Sequence, residues 1–527
     1  MSHRKAIKLL GISTFALGSL SASIGTALAS DFSDLGALPV ITDDCGTSSC
    51  ADRRALTLEA FKAKLADASS KSSSSSVAKA NNSSGEKSKK GQGLGLGQGN
   101  NDTQIVYLNF EQSEATFPAI VSGSTPWYFN SHQYTQSEKD EIQARIAADY
   151  EGFNISFTQE KPASGDFSTL NFECQTNSRV CVNFSGGILF GLAQGIDIQN
   201  TNRNDSAFVD AGLWEVMAQL DPSGNLLSRY SGIAIENGDV QAALSKAVVN
   251  QAANTGAHEL GHNLGLRHHD SFGSPGSGLP STGVPSADRF FPVFDGLQEG
   301  DEAILHTMAS GASVGSGLSD STARDRFLSE RSVIKLAAAE RGRLVNESSV
   351  SGGNKKVHLR KVVAPNTLLE GDNADGKLDI REALIRGQIS VANEVDTYRF
   401  TAKSGEFISA EFNGYDIAIG DPVIGAIQMF YIEDDGTMTL VAQNFQNFEG
   451  LDAFLIDAPV EKSGDYVLAV SAPNFVSFGY QPDGTPMLFP LEENGYGALR
   501  VGDYNLSIYK VAGKSGNGVG FVPGAGQ

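Results

Sequence analysis

Thirteen residues, His258 to Asp270, hold four of the eight histidines in this 527-residue chain. They read His-Glu-Leu-Gly-His-Asn-Leu-Gly-Leu-Arg-His-His-Asp. His258 and His262 are four apart, so on a helix both imidazoles leave one face and can share a metal ion. Glu259 beside them is placed to hold a metal-bound water as general base rather than to bind the metal. Gly265 follows His262 by three and can adopt a positive φ, ending the helix and turning the chain back. His268 then returns as a third nitrogen ligand. Three neutral imidazoles and one open position are what a catalytic zinc requires. His269 is the alternative third ligand, and the spacing favours His268.

Ligands held to tenths of an ångström need a rigid carrier. Residues 239–257 contain no Pro and, apart from Gly256, no Gly. Val240, Leu244, Val248 and Ala252 recur at helical spacing, predicting one long amphipathic helix that runs into the ligands. Upstream, 105–110, 153–157, 170–172, 180–184 and 206–210 have strand character. Residues 137–150 read as a helix, with Ser137 as N-cap and Glu138, Asp140 and Glu141 in its first turn. Residues 325–341 are predicted to form the helix that closes this part of the chain.

The pattern His-Glu-x-x-His-x-x-Gly-x-x-His resembles the signature of the metzincin superfamily of zinc endopeptidases. The resemblance implies zinc on His258, His262 and His268, with Glu259 as catalytic base, and a Met beneath the ligands in a tight turn. Met308, within His306-Thr307-Met308-Ala309-Ser310, resembles that residue. It also implies that one edge strand receives an extended substrate. Two features depart from the pattern. The span from His268 to Met308 is long, and no Tyr follows Met308 by two, so a tyrosine fifth ligand is not supported.

Beyond Gly387 the sequence changes to short alternating strands at 397–401, 407–412, 424–431, 454–456, 466–470 and 504–509, separated by turns such as Asp434-Asp435-Gly436. This predicts an antiparallel β-sandwich. Gly387-Gln388-Ile389-Ser390, Asp396-Thr397-Tyr398-Arg399-Phe400 and Ser463-Gly464-Asp465-Tyr466 are similar to the bacterial pre-peptidase C-terminal domain, a module that follows the catalytic domain in many secreted peptidases. The expected fold class is therefore an α+β metzincin-like catalytic domain, a mixed twisted sheet with a long ligand helix, followed by an antiparallel β-sandwich. Between them, residues 371–382 are spaced like an EF-hand loop, with Asn373, Asp375, Asp379 and Glu382 as candidate calcium ligands. Gly371 stands where the first ligand should be.

The N-terminus carries Arg4, Lys5 and Lys8, an apolar run and Ala27-Leu28-Ala29, which reads as a secretory signal peptide over 1–29. Residues 30–101 combine a short helix candidate with Ser-, Lys- and Gly-rich tracts and are expected to be a propeptide and linker, cut between about residues 70 and 103. The cysteines fall in two local pairs, Cys45 with Cys50 and Cys174 with Cys181, as disulfides of an exported protein would. A propeptide cysteine capping the zinc is the rival reading of the first pair. The divisions expected are 1–29, 30–101, a catalytic domain at 102–345, a linker at 346–386, the sandwich at 387–511 and a tail at 512–527. A net charge of −21 argues against nucleic acid or anionic membrane as partner.

These features predict a secreted zinc endopeptidase acting on protein or peptide. Two alternatives differ in class: a secreted binding or adhesion protein with a vestigial zinc site, and a zinc hydrolase acting on something other than protein.

Overall fold

The computed structural model describes residues 40–41, 103–111, 116–120, 125–172, 182–183, 187–271, 306–309, 322–323, 325–341, 344–352, 355–363, 379–417, 420–445, 451–480 and 486–512. Residues 1–29, read above as a signal peptide, the Ser/Lys/Gly tracts, both cysteine pairs and the residues beyond Ala512 lie outside them. So do Asn373 and Asp375.

A mixed α/β N-terminal region precedes an antiparallel β-rich region. The main sheet of the first comprises β1 (Gln104–Asn109), β2 (Ile155–Thr158), β3 (Ser168–Asn171), β4 (Gly191–Ala193) and β5 (Ser206–Val209), in the order β2-β1-β3-β5-β4. The first four in that order run parallel, and β4 closes the edge antiparallel to β5. A smaller sheet pairs Thr116–Ile120 with Trp127–Asn130 and includes Val40–Ile41, parallel to Gly187–Leu189.

Helix α1 (Gln136–Asp149) is capped by Thr135 rather than Ser137. The Thr135 hydroxyl accepts from the backbone of Glu138, whose carboxylate accepts from Thr135 N at 2.7 Å, a reciprocal box that Ser137 could not form. Two shorter helices, α2 (Gly212–Leu220) and α3 (Asn225–Ser231), lead to α4 (Val240–Asn263), capped by Asp239. The expectation of an amphipathic α4 is corrected, because every residue from Ala247 to Asn263 is buried. Its small residues let it lie close on its neighbours: a Cβ on Gly256 would stand 2.8 Å from Ile146 Cδ1. Val106, Leu108, Ile146, Leu170, Phe172, Ala253 and Leu260 form the shared core.

Helix α5 (Glu330–Arg341) begins five residues later than the sequence suggests. Its Leu336 and Ala337 belong to that same core, which continues through Val362 and Ile380 to Tyr509 and Val511 of the β-rich region.

The β-rich region comprises β6 (Asp379–Ile389), β7 (Val395–Ala402), β8 (Phe407–Asn413), β9 (Ala426–Ile432), β10 (Met438–Asn444), β11 (Phe454–Pro459), β12 (Gly464–Ser471) and β13 (Gly502–Ala512). One sheet runs β6-β13-β8-β11 and the other β7-β12-β9-β10. Both contribute to one core, with Phe400, Ile408, Phe412, Met429, Leu468 and Leu506 at 0–1% exposure.

Of the residues expected to form a linker, Arg360–Val362 pair with β6, as do Leu344–Asn346 at its boundary, and Asp379–Arg386 belong to β6 itself. Of the candidate calcium ligands, Asp379 and Glu382 are strand residues in register with Ala512 and Tyr509. Glu382 is buried at 1% exposure. No helix among the described residues is long and apolar enough to cross a membrane.

Candidate metal site

Helix α4 delivers His258, Glu259 and His262, all buried. It ends in a Schellman motif, in which Leu266 N donates to Gly261 O at 2.8 Å and Gly265 N to His262 O at 2.9 Å. Gly265 takes φ +95°, and a Cβ there would meet Asp197 O at 2.9 Å, so both conformation and space require glycine. The chain reverses and enters a 3-10 turn, His268–Ser271.

His258, His262 and His268 are thereby brought into one group that could hold a metal ion, each offering a nitrogen within 4.8 Å of the others. The ring of His268 lies 5.2 Å from that of His258 and 4.9 Å from that of His262, centroid to centroid. Their tautomers follow from the carbonyls behind them. Nδ1 of His258 donates to Thr307 O at 2.7 Å, and Nδ1 of His262 to Leu266 O at 2.8 Å. Both Nε2 atoms therefore present lone pairs, and they face each other 2.9 Å apart. Two such lone pairs cannot hydrogen-bond to one another, whereas a shared cation would satisfy both, so the residues present fit a metal.

The backbone behind His258 belongs to the Met308 turn. Thr307 N donates to Phe327 O at 2.7 Å, and Arg326 Nη1 donates to Ala309 O at 3.0 Å. Met308 is fully buried, and its sulfur lies 2.5 Å from where a Cβ on Gly261 would stand. Tyr150 donates to Ala257 O at 2.7 Å and packs beside the same glycine. His306 ties the turn to the third ligand's segment by a hydrogen bond to Ser271 O. Burial, helped by the charge of Arg326 and opposed by the bond to Ser271 O, holds its pKa down at about 4, so the ring is neutral.

Edge strand β4 crosses directly over Glu259. A Cβ on Gly191 would stand 2.4 Å from Glu259 Oε1 and 2.5 Å from Thr255 Cγ2. Sequence reading missed Gly191, Gly261 and the Thr307 carbonyl, because their roles depend on atoms supplied by distant elements. The small residues Gly191 and Ala193 flanking Leu192 were the only local sign that something passes close by.

His269 points elsewhere. Its ring stacks on Phe454 at 4.1 Å and 21°, away from the triad. With Asp270 and Glu411 it forms a second cluster of potential ligands within 4.8 Å. Lys335 Nζ, however, lies 2.8 Å from Asp270 Oδ2 and 2.9 Å from Glu411 Oε2. An ammonium already supplies the positive charge, so this cluster is an ion-pair network. Burial pushes the Glu411 carboxyl up, but Lys335, His269 and Arg267 outweigh it and hold it well below the usual range.

No known protein family matches the chain, and no curated protein does. Among solved structures, the periplasmic inhibitor of g-type lysozyme PliG from Aeromonas hydrophila aligns at 12% identity over 25% of this chain and 86% of its own, with a TM-score of 0.15. PliG from Salmonella Typhimurium aligns at 12% identity over 32% and 99%, TM-score 0.13. A protein from Sulfurospirillum deleyianum aligns at 11% identity over 24% and 96%, TM-score 0.15. Alignments this loose assign neither fold nor activity.

Proposed function

We propose that the chain is a secreted zinc-dependent endopeptidase in which His258, His262 and His268 hold one zinc ion and Glu259 is the general base. The observation that carries this reading is the pair of Nε2 lone pairs fixed 2.9 Å apart by the Thr307 and Leu266 carbonyls. Three neutral imidazoles are a donor set suited to zinc. When bound, zinc supplies Lewis acidity, polarising a peptide carbonyl and acidifying water.

The remaining work falls to the chain. Glu259 takes the proton of the attacking water and passes it to the leaving amine. Strand β4 offers an antiparallel edge, paired only with β5 among the described residues. An extended peptide added to that edge gains main-chain hydrogen bonds and passes Gly191, directly above Glu259. Positioning of this kind favours a peptide over a small ester or sugar, and the resemblance of His258–His268 to the metzincin signature supports the same substrate class.

Casein and peptide-library cleavage by the secreted protein tests the proposal. Chelation should abolish cleavage and zinc should restore it. Glu259→Ala should retain zinc by mass spectrometry and lose about 10²–10⁴-fold in rate. Cleavage by that variant at the parent rate would remove Glu259 from the mechanism. A zinc-loaded parent that cuts no peptide would sink the peptidase reading.

A further inference from the structure

The turn that carries His268 is gripped from the β-rich region on both sides. Arg267, immediately before it, is buried, and its Nη2 lies 2.8 Å from Asp452 Oδ2 and also donates to Asn413 Oδ1. Asp452 is itself fixed, its Oδ1 accepting from Gly414 N at 3.0 Å and Tyr415 N at 2.7 Å. His269, immediately after, stacks on Phe454 of β11. Asp270 closes the turn by accepting from Arg267 N at 2.7 Å and reaches Glu411 of β8 through the shared Lys335 ammonium. His258 has no such dependence, since its carbonyl partner, Thr307, lies on the Met308 turn, while His262 bonds the carbonyl of Leu266, one residue before Arg267.

We infer that the β-rich region is a working part of the metal centre: Asp452, acting through Arg267, is a positioning residue for the third ligand, His268. The inference rests on the metal reading above and extends it to residues the signature does not contain. Without the Asp452 anchor the turn keeps its sequence but loses the charge that fixes Arg267, and His268 must be ordered at the expense of metal binding. Outer partners of metal ligands are worth about 10–100-fold in affinity. No comparable effect follows from the seam as a whole. Arg331 of α5 grips Asp457 of β11 through a bidentate pair in the same seam, but it stands on the helix rather than on the turn.

Asp452→Asn keeps the shape of the residue and its capacity to accept from Gly414 and Tyr415 while removing its charge. Arg267→Lys keeps a cation but on a shorter side chain, which ends before the position of Nη2, the one nitrogen from which Arg267 reaches both Asn413 and Asp452. Zinc affinity, by competition with a chromophoric chelator, and the visible spectrum of the cobalt-substituted protein would be recorded for both variants. Asp457→Asn serves as the control, and each protein is first shown to be folded by circular dichroism. Asp452→Asn and Arg267→Lys should each weaken zinc by about 10–100-fold and alter the cobalt spectrum. Asp457→Asn should lower thermal stability yet bind zinc within about twofold of the parent. Parent-like affinity in both turn variants overturns the inference, as does an equal loss in the Asp457→Asn control. A parent that binds no zinc removes the metal reading and this inference together.

Discussion

His258 and His262 stand on a helix of 24 residues, whereas His268 stands on a 3-10 turn of four. The helix is held by contacts of many kinds: the Asp239 cap, small residues against the sheet, the Met308 turn beneath. The turn has no hydrophobic face of its own. It is held chiefly by charges, Lys335 of α5 on Asp270 and, from the other end of the chain, Asp452 on Arg267. The comparison shows two ways to fix a ligand. A helix spreads the constraint over many weak contacts, so no single residue is decisive. A turn concentrates it in a few buried ionic ones, and removing either partner of such a pair leaves an uncompensated charge.

The largest effect expected from this contrast is on zinc itself. His268→Ala removes a donor and should lower zinc affinity by more than about a hundredfold, beyond the range set for outer partners. His269→Ala leaves the donors in place and removes the stack on Phe454 and the approach of the ring to Asp270 and Glu411, so it should cost less than about tenfold. Zinc titration of the two variants decides, and the reverse ranking would move the third ligand by one residue and break the comparison.

A smaller effect is expected where the helix meets the cleft. Gly191→Val puts a branched side chain where Glu259 Oε1 already stands, displacing the carboxylate or the strand. Displacements near 1 Å cost about a hundredfold in rate. Peptide cleavage should fall by that order while zinc affinity holds, because the atoms nearest a Cβ at Gly191 belong to Glu259 and Thr255. Loss of zinc in this variant would show that β4 supports the ligands as well.

The smallest effect concerns how the helical side is anchored. His132 bridges Glu215 of α2 at 3.1 Å and Glu138 of α1 at 3.3 Å, and Ser245 of α4 donates to Glu138. Burial lowers the His132 pKa, but the bond to Glu215 and the two carboxylate charges outweigh it, so the net shift is upward. For Glu138 burial acts upward, and the bonds from Ser245 and Thr135 with the charge of His132 reverse it, so the net shift is downward. The histidine contribution is therefore complete below the ordinary value near 6.5 and fades as pH rises through the raised one. The glutamate contribution is complete above its ordinary value and fades as pH falls through the lowered one. Melting temperatures of the parent and His132→Gln should differ most at pH 5–6, by about 2 °C. They should converge by pH 9. A gap that is the same at both pH values would show that His132 contributes packing rather than charge.

What the sequence disclosed follows the same divide. The ligand helix, the Gly265 stop and the place of His268 were legible because each depends on residues within four positions of its neighbour. The alternating strands β7, β8 and β12 were legible for the same reason. Strand β10 was not, because its edge position leaves Met438, Thr439 and Leu440 exposed and erases the alternation. The first part of strand β6, Asp379–Arg386, was read as linker because Asp379, Arg381, Glu382 and Arg386 look like a solvated loop, although the strand pairs with β13 along its whole length. The N-cap of α1 was misplaced by two because Ser137 is in isolation the better cap, and the reciprocal bonds with Glu138 decide for Thr135. The anchors of the third ligand were beyond local reading altogether: Asn413 lies 146 residues from Arg267 in sequence, and Asp452 lies 185.

The bidentate pair of Arg331 with Asp457 has a consequence for how such a chain can change over generations. Asp457 sits at φ +52°, a conformation few residues other than glycine hold comfortably, and the arginine of a different region grips it. A module hung on a flexible tether can be exchanged for another by recombination at the tether. Here a replacement would have to bring its own partners for Arg331 and Arg267, or leave two cations stranded in a dry interior, with Lys335 reduced to Asp270 alone. The boundary at which a domain shuffle would be tolerated is therefore not where the sequence is most linker-like.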